Sequence, residues 1–296
     1  MKLEMILRSL FNACRNVCSI NVNYKDCLQR NAGMSNQEYL KGLTIPHGST
    51  SNFTEEVIEH VLTLASDANL TVRQLAVAGL TPYCLRAGLW EMPRDAEILS
   101  KYYKLFQHVQ SLYLVFSGTE YTTDKLDVSP WLYFDFRKTM SIFGDGGLVK
   151  WLQHCPELRH LRVTMPITPE PGLKAQLQHI LGSVHMSSLV SLHLTHFRNR
   201  PKDLTDALLR HSITFMDLTL ADIHIEYDDW RSCLSAIAGQ LPCLEWVRFT
   251  SPLSFEPGGP DDFEWVMSRD LQSSEEVDAT EAELARYVLE GGSLSV

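Results

Sequence analysis

The 296-residue chain lacks any run approaching the ~18 consecutive apolar residues that a membrane-spanning helix needs. Its first residues, Met1 to Ala13, are broken by Glu4 and Arg8, where a secretory leader requires an uncharged core. Cysteine is short of a framework: the seven residues, Cys14, Cys18, Cys27, Cys84, Cys155, Cys233 and Cys243, are odd in number and show no repeated short spacing. They suit reduced thiols, and the expected compartment is intracellular, cytoplasmic or nuclear. Positive charge is also in deficit, with a net charge of −10 and a pI near 5.5, so neither nucleic acid nor an anionic membrane is expected as a partner. Catalytic signatures are missing as well. There is no Gly-rich phosphate loop, no G-x-S-x-G and no H-E-x-x-H, and Gly144-Asp-Gly-Gly147 has neither the lysine nor the context of a nucleotide site.

What is present is a repeated spacing. L-x-x-L-x-L recurs at Leu158-Leu161-Val163, Leu189-Leu192-Leu194, Phe215-Leu218-Leu220 and Leu244-Val247-Phe249, with first positions 31, 26 and 29 residues apart. These intervals are close to the length of one leucine-rich repeat, and looser copies stand at Val17-Ile20-Val22, Val72-Leu75-Val77 and Val109-Leu112-Leu114. A helix-like apolar stripe precedes each copy. The stripes are Leu3, Ile6, Leu7, Leu10 and Phe11; Val57, Ile58, Val61, Leu62 and Ala65; Ile98, Tyr102, Leu105 and Phe106; Leu148, Trp151 and Leu152; Leu173, Leu177, Ile180 and Leu181; Leu204, Leu208 and Leu209; and Trp230, Leu234, Ile237 and Leu241.

The expected fold is therefore α/β: a leucine-rich-repeat-like solenoid of about seven irregular helix-strand units whose parallel strands line a concave face. It is expected to occupy residues 1–250 and to begin at Met1 with no separate leading domain. Residues 24–52 read as a long irregular connection, with Thr54 capping the next helix. Residues 116–146, rich in glycine and holding Tyr121, Trp131, Tyr133, Phe134 and Phe136, read as an insertion. Residues 251–296 carry eleven acidic residues against Arg269 and Arg286, nearly the whole net charge. They are read as an acidic linker, opened by Pro252, Pro257, Gly258, Gly259 and Pro260, and a C-terminal helix from Thr280 to Leu289 that caps the array through Leu284 and Val288.

In each strand the residues between the leucines point to the opposite face, the usual binding surface of a repeat array. One column is Ser19, Gln74, Ser111, His160, Ser191, Asp217 and Trp246; the next is Asn21, Ala76, Tyr113, Arg162, His193, Thr219 and Arg248. The candidate partner-binding residues are Tyr113, His160, Arg162, His193, Asp217, Trp246 and Arg248, with tryptophan and arginine foremost because they most often anchor interfaces. Two competing readings are a Trp246 buried beneath the insertion or the cap, and arginines that are merely solvated. His193, His196 and His224 are not expected to share a metal, and Cys14 and Cys18 are read as buried structural thiols. No cofactor or catalytic residue is expected. The alternative of another class is an enzyme that uses residues 116–146 as an active-site lid. The acidic C-terminal segment is also expected to fold near Arg162 and Arg248 and screen them.

The run Phe215-Met-Asp-Leu-Thr-Leu-Ala-Asp-Ile223, with Trp230, Leu234, Leu241-Pro-Cys-Leu244-Glu-Trp-Val and the tail Leu284-Ala-Arg-Tyr-Val-Leu-Glu-Gly-Gly292, resembles the degenerate leucine-rich-repeat regions of fungal F-box-type proteins. The resemblance implies a scaffold more than an activity, with a protein partner and the substrate-recognition role of a ubiquitin ligase. No F-box segment, which would open with a Leu-Pro pair, is seen in this sequence. Ubiquitin-ligase components are thus expected as partners only if an F-box lies upstream.

Overall fold

A computed structural model of the chain describes residues 2–14, 16–23, 50–80, 93–116, 143–144, 146–166, 175–182, 184–226, 230–259, 262–267 and 274–291. It is a mixed α/β structure built on a largely parallel sheet. The strands are β1 (Ser19–Asn23), β2 (Gln74–Leu80), β3 (Ser111–Phe116), β4 (His160–Thr164), β5 (Ala175–Gln176), β6 (Ser191–Asn199), β7 (Asp217–Ile225), β8 (Trp246–Gly259) and β9 (Asp262–Met267). The helices are α1 (Lys2–Ala13), α2 (Thr50–Asp67), α3 (Pro93–Phe106), α4 (Gly147–Gln153), α5 (Pro201–Leu209), α6 (Trp230–Ile237) and α7 (Ser274–Glu290). The sheet order is β1-β2-β3-β4-β6-β7-β8-β9, parallel up to β8 and antiparallel between β8 and β9, and β5 pairs with the far end of β6.

The alternation L-x-L builds this sheet. Leu75, Leu112, Leu161, Leu192 and Leu218 stand opposite one another in register, and all are buried. Burying each such side chain stabilises the fold by roughly 1.5–3 kcal/mol before the entropy of ordering it is counted. The helices supply the facing layer. Trp151 of α4 meets Phe106 and Tyr102 of α3 at ring-centroid distances of 5.2 and 5.9 Å, and Trp230 of α6 meets Phe249 of β8 edge-on at 6.2 Å. Ile58, Leu62 and Ala65 of α2, Leu204 and Leu208 of α5, and Leu234 and Ile237 of α6 are buried in the same core.

Several local expectations need correction. Among the described side chains of α1, Phe11 is buried and Leu7 partly so, while Met5 is 64% and Ile6 62% exposed and Leu10 is exposed too. A periodic stripe shows which residues share a helix face but not whether a neighbour is long enough to cover all of it. Helix α2 begins at Thr50, so Thr54 lies inside it; Thr50, Ser51, Asn52 and Thr54 are all cap-type residues, and sequence alone does not choose among them. The helix expected around Leu177 is instead the two-residue β5 and a 3-10 turn, Leu177–His179. Pro166, Pro169, Pro171 and Gly172 before it and Gly182 after it leave too little chain for an α-helix. Leu177, Ile180 and Leu181 nevertheless fill the core.

The proline-rich stretch after Phe249 is strand, not linker. Strand β8 pairs with β7 as far as Phe255 opposite Ile225. Pro252 falls where the register shifts between Ala221 and Ile223, and Pro257 where it shifts between Phe255 and Gly259; such irregularities tolerate a residue without an N–H. Helix α7 begins at Ser274, so Thr280 is internal and does not cap it. Its Leu284 and Val288 are buried, the Val288 carbonyl accepts from Gly239 N–H at 3.2 Å, and Tyr287 OH lies 3.2 Å from Ser235 Oγ of α6. Among the described residues no helix is long and apolar enough to cross a membrane.

Candidate functional site

The two columns expected from the sequence are the register partners of the sheet. Ser19, Gln74, Ser111, His160, Ser191, Asp217 and Trp246 follow one another across β1, β2, β3, β4, β6, β7 and β8. Asn21, Ala76, Tyr113, Arg162, His193, Thr219 and Arg248 form the parallel column two residues further along. These side chains lie on the face away from the leucines, and most are exposed or half-buried.

The middle of the first column is a polar cluster. Asp217 Oδ2 accepts from Ser191 Oγ at 3.0 Å and lies 3.2 Å from His193 Nε2. A carboxylate between a hydroxyl and an imidazole, with neither of these bonded to the other, holds both in place; it lacks the serine-to-histidine proton path of a hydrolytic triad. His160, one strand away, has its pKa lowered by burial, with the charge of Arg159 acting in the same direction and that of Asp217 opposing it. Ser191, a member of the first column but not of the candidate binding residues, is buried and bonded to Asp217. A serine surrounded by leucines carries no distinctive pattern of its own.

Flanking the cluster, Arg162 and Arg248 are exposed and make no ion pair among the described residues. Tyr113 is half-buried opposite Arg162. Trp246 is 72% exposed, not buried as the competing reading had it. Two exposed apolar residues not anticipated precede β7: Met216, 37% exposed, whose carbonyl accepts from Trp246 N–H at 3.0 Å, and Ile213, 73% exposed, whose carbonyl accepts from Cys243 Sγ at 3.2 Å. They precede the strand, outside its period-2 pattern, which is why alternation did not reveal them.

The remaining histidines have separate partners. His196 and Asp222 face each other across β6 and β7, both at positive φ (66° and 49°), and their side chains bond to one another. His193 therefore engages Asp217 and His196 engages Asp222, while His224 is buried further along β7. Beyond them Arg198 Nε lies 2.7 Å from Glu226 Oε1, an ion pair between a half-buried guanidinium and a buried carboxylate, and the neighbouring Asn199 side chain is buried without a hydrogen-bond partner among the described residues. A cavity of about 90 Å³ lies between the 3-10 turn and α5, lined by Gln178, Leu181, Asp203, Asp206 and Arg210 among others. That is room for a few waters, against roughly 300–1,000 Å³ for a small-molecule site.

Cys14 and Cys18 are exposed and not the buried thiols expected, because the helix-to-strand junction they straddle lies at the surface. Cys155 and Cys233 are the buried thiols among the described residues; Cys155 donates to Trp151 O at 3.4 Å, and burial pushes its thiol up to about 12. The described part of α7 meets α6 through Tyr287 OH and Ser235 Oγ and packs along β8 as well, and no ion pair between it and Arg162 or Arg248 is seen among the described residues. The aromatics of the 116–146 insertion, Cys27, Cys84 and the connection 24–49 lie outside the described residues; Phe143 returns to the core, edge-on to Phe116 at 5.0 Å. Comparison with protein-family models, with curated proteins and with solved structures gives no match for this chain.

Proposed function

We propose that the chain is a non-catalytic scaffold, a leucine-rich-repeat-like solenoid that binds a protein partner on the open, concave face of its strands. One observation carries the reading: parallel strands alternate buried and half-exposed residues, as in β3 and β4, and end in a largely exposed Trp246. A parallel sheet covered on both faces reads as a continuous apolar run, because each side must be buried. Alternation in a parallel sheet marks one face left for water or for a partner. The residues on that face, two arginines, a tyrosine and a tryptophan, are types that supply most of the energy of interfaces.

The resemblance to the repeat regions of F-box-type proteins supports a narrower role, substrate recognition within a ubiquitin ligase, in a product that carries an F-box. Affinity capture with the wild-type chain and with a W246A/R248A variant tests both levels. Partners retained by the wild type and lost by the variant are expected. Equal recovery by both would remove the face from the function. Recovery of cullin-type ligase subunits supports the ligase role, and a partner set without them leaves only the scaffold.

A further inference from the structure

Given the binding face proposed above, its charge identifies the chemistry of what it binds. Residues 251–296 hold eleven of the 36 acidic residues and two of the 26 basic ones, leaving 25 acidic against 24 basic in residues 1–250. Within that nearly neutral body the two columns carry Arg162 and Arg248, with His160 on the strand of Arg162, His193 on a strand between the arginines, and a single carboxylate, Asp217. Asp217 is already engaged by Ser191 and His193, whereas both guanidinium groups are exposed and unpaired among the described residues. The two columns are thus locally positive on an acidic protein, and they carry Tyr113 and the largely exposed Trp246, with Met216 and Ile213 exposed just before β7.

We propose that the face binds an extended acidic segment of a partner protein, with carboxylates on Arg162 and Arg248 and an apolar side chain on Trp246. Arg162 and Arg248 occupy the same column on β4 and β8, three strand spacings apart, or about 14 Å at ~4.8 Å each. A segment crossing the strands in an extended conformation covers that distance in about four residues at roughly 3.4 Å each. The fitting pattern is therefore two acidic residues four apart, with an apolar residue two positions from the one that meets Arg248, on the same side of the extended segment, for Trp246, which is two residues from Arg248 on its strand. Guanidinium groups favour carboxylates because they offer paired N–H donors in a planar fork. A nucleic acid fits less well, since two arginines and one tryptophan on a chain of net charge −10 make too small a basic stripe.

Selection of a random twelve-residue peptide library on the full chain, followed by titration of the enriched peptides, tests this. Enrichment of acidic pairs four apart, with an apolar residue two positions from one of them, is expected, with at least a tenfold loss of affinity in R162E/R248E and a turn toward basic peptides when that variant is used for selection. Peptides without acidic enrichment that still lose affinity in W246A would overturn the acidic assignment and leave the binding face standing. Peptides indifferent to all three substitutions, or no enrichment, would overturn both. Displacement of an enriched peptide by a twelve-nucleotide single strand at equal concentration would overturn the choice of a protein partner.

Discussion

At the scale of the residue, His211 is the side chain with the most determined protonation. Its Nδ1–H donates to Ala207 O at 2.8 Å, and its Nε2 accepts from Met186 N–H at 3.1 Å, so the two nitrogens have opposite roles and the ring is neutral. Burial lowers its pKa from the ordinary 6.5; Arg210 and His185 add to the lowering, and the Ala207 carbonyl opposes it. A folded-state value below the unfolded one means that the unfolded chain binds the proton first. The contribution of His211 is thus complete above about pH 6.5 and is lost as pH falls through the folded value. His160 and His179 are lowered as well and act with the same sign. The midpoint of urea unfolding is expected to fall on acidification below about pH 6.5. In H211L that slope is expected to be shallower, with about 1–3 kcal/mol lost at pH 7.5 because Met186 N–H and Ala207 O lose their partner. An unchanged slope in H211L would contradict this assignment.

At the scale of the element, helix ends and strand ends divide what was legible from what was not. The two outward columns were readable because a period of two admits only one partition of side chains once the leucines are placed inward. Arg162 and Arg248 came from that rule, and so did Trp246. The same rule gave no view of Met216 or Ile213, which precede the strand, nor of β8 beyond Phe249, where prolines suggest a break and the register irregularities that accommodate them are not written in the sequence. Helix α2 shows a further case. Asn69 stands at φ 52°, its N–H donates to Ser66 O at 2.9 Å and that of Leu70 to Ala65 O at 3.1 Å, a left-handed C-terminal cap. Lys104 Nζ also reaches Asn69 Oδ1 at 2.5 Å. N69G is expected to unfold near the wild-type urea concentration, whereas N69V, a β-branched residue at positive φ, is expected to lose about 1–3 kcal/mol. Equal midpoints for the two variants would show that the backbone there is not constrained as described.

At the scale of the whole molecule, parallel strands and their helices add to a core in chain order, so local stability follows how many sides of each element are covered. The strands β4, β6 and β7 have a strand on either side and a filled core beneath, while α1 stands at one end with Met5, Ile6 and Leu10 exposed. Native-state hydrogen exchange is expected to be slowest in β4, β6 and β7 and fastest among these elements in α1. Protection of α1 equal to that of β6 would show that its apolar residues are covered in solution.

The central claim, that the open strand face is where a partner protein sits, is tested most directly by site-specific photo-cross-linking. A photoreactive residue at Thr219, between His193 and Arg248 in the second column, and another at Lys202, exposed on helix α5, report on the two faces of the sheet in otherwise identical chains. Incubated with a captured partner, the Thr219 probe is predicted to join it covalently and the Lys202 probe is not. Cross-linking from Lys202 with none from Thr219 would place the partner on the helices and contradict the account.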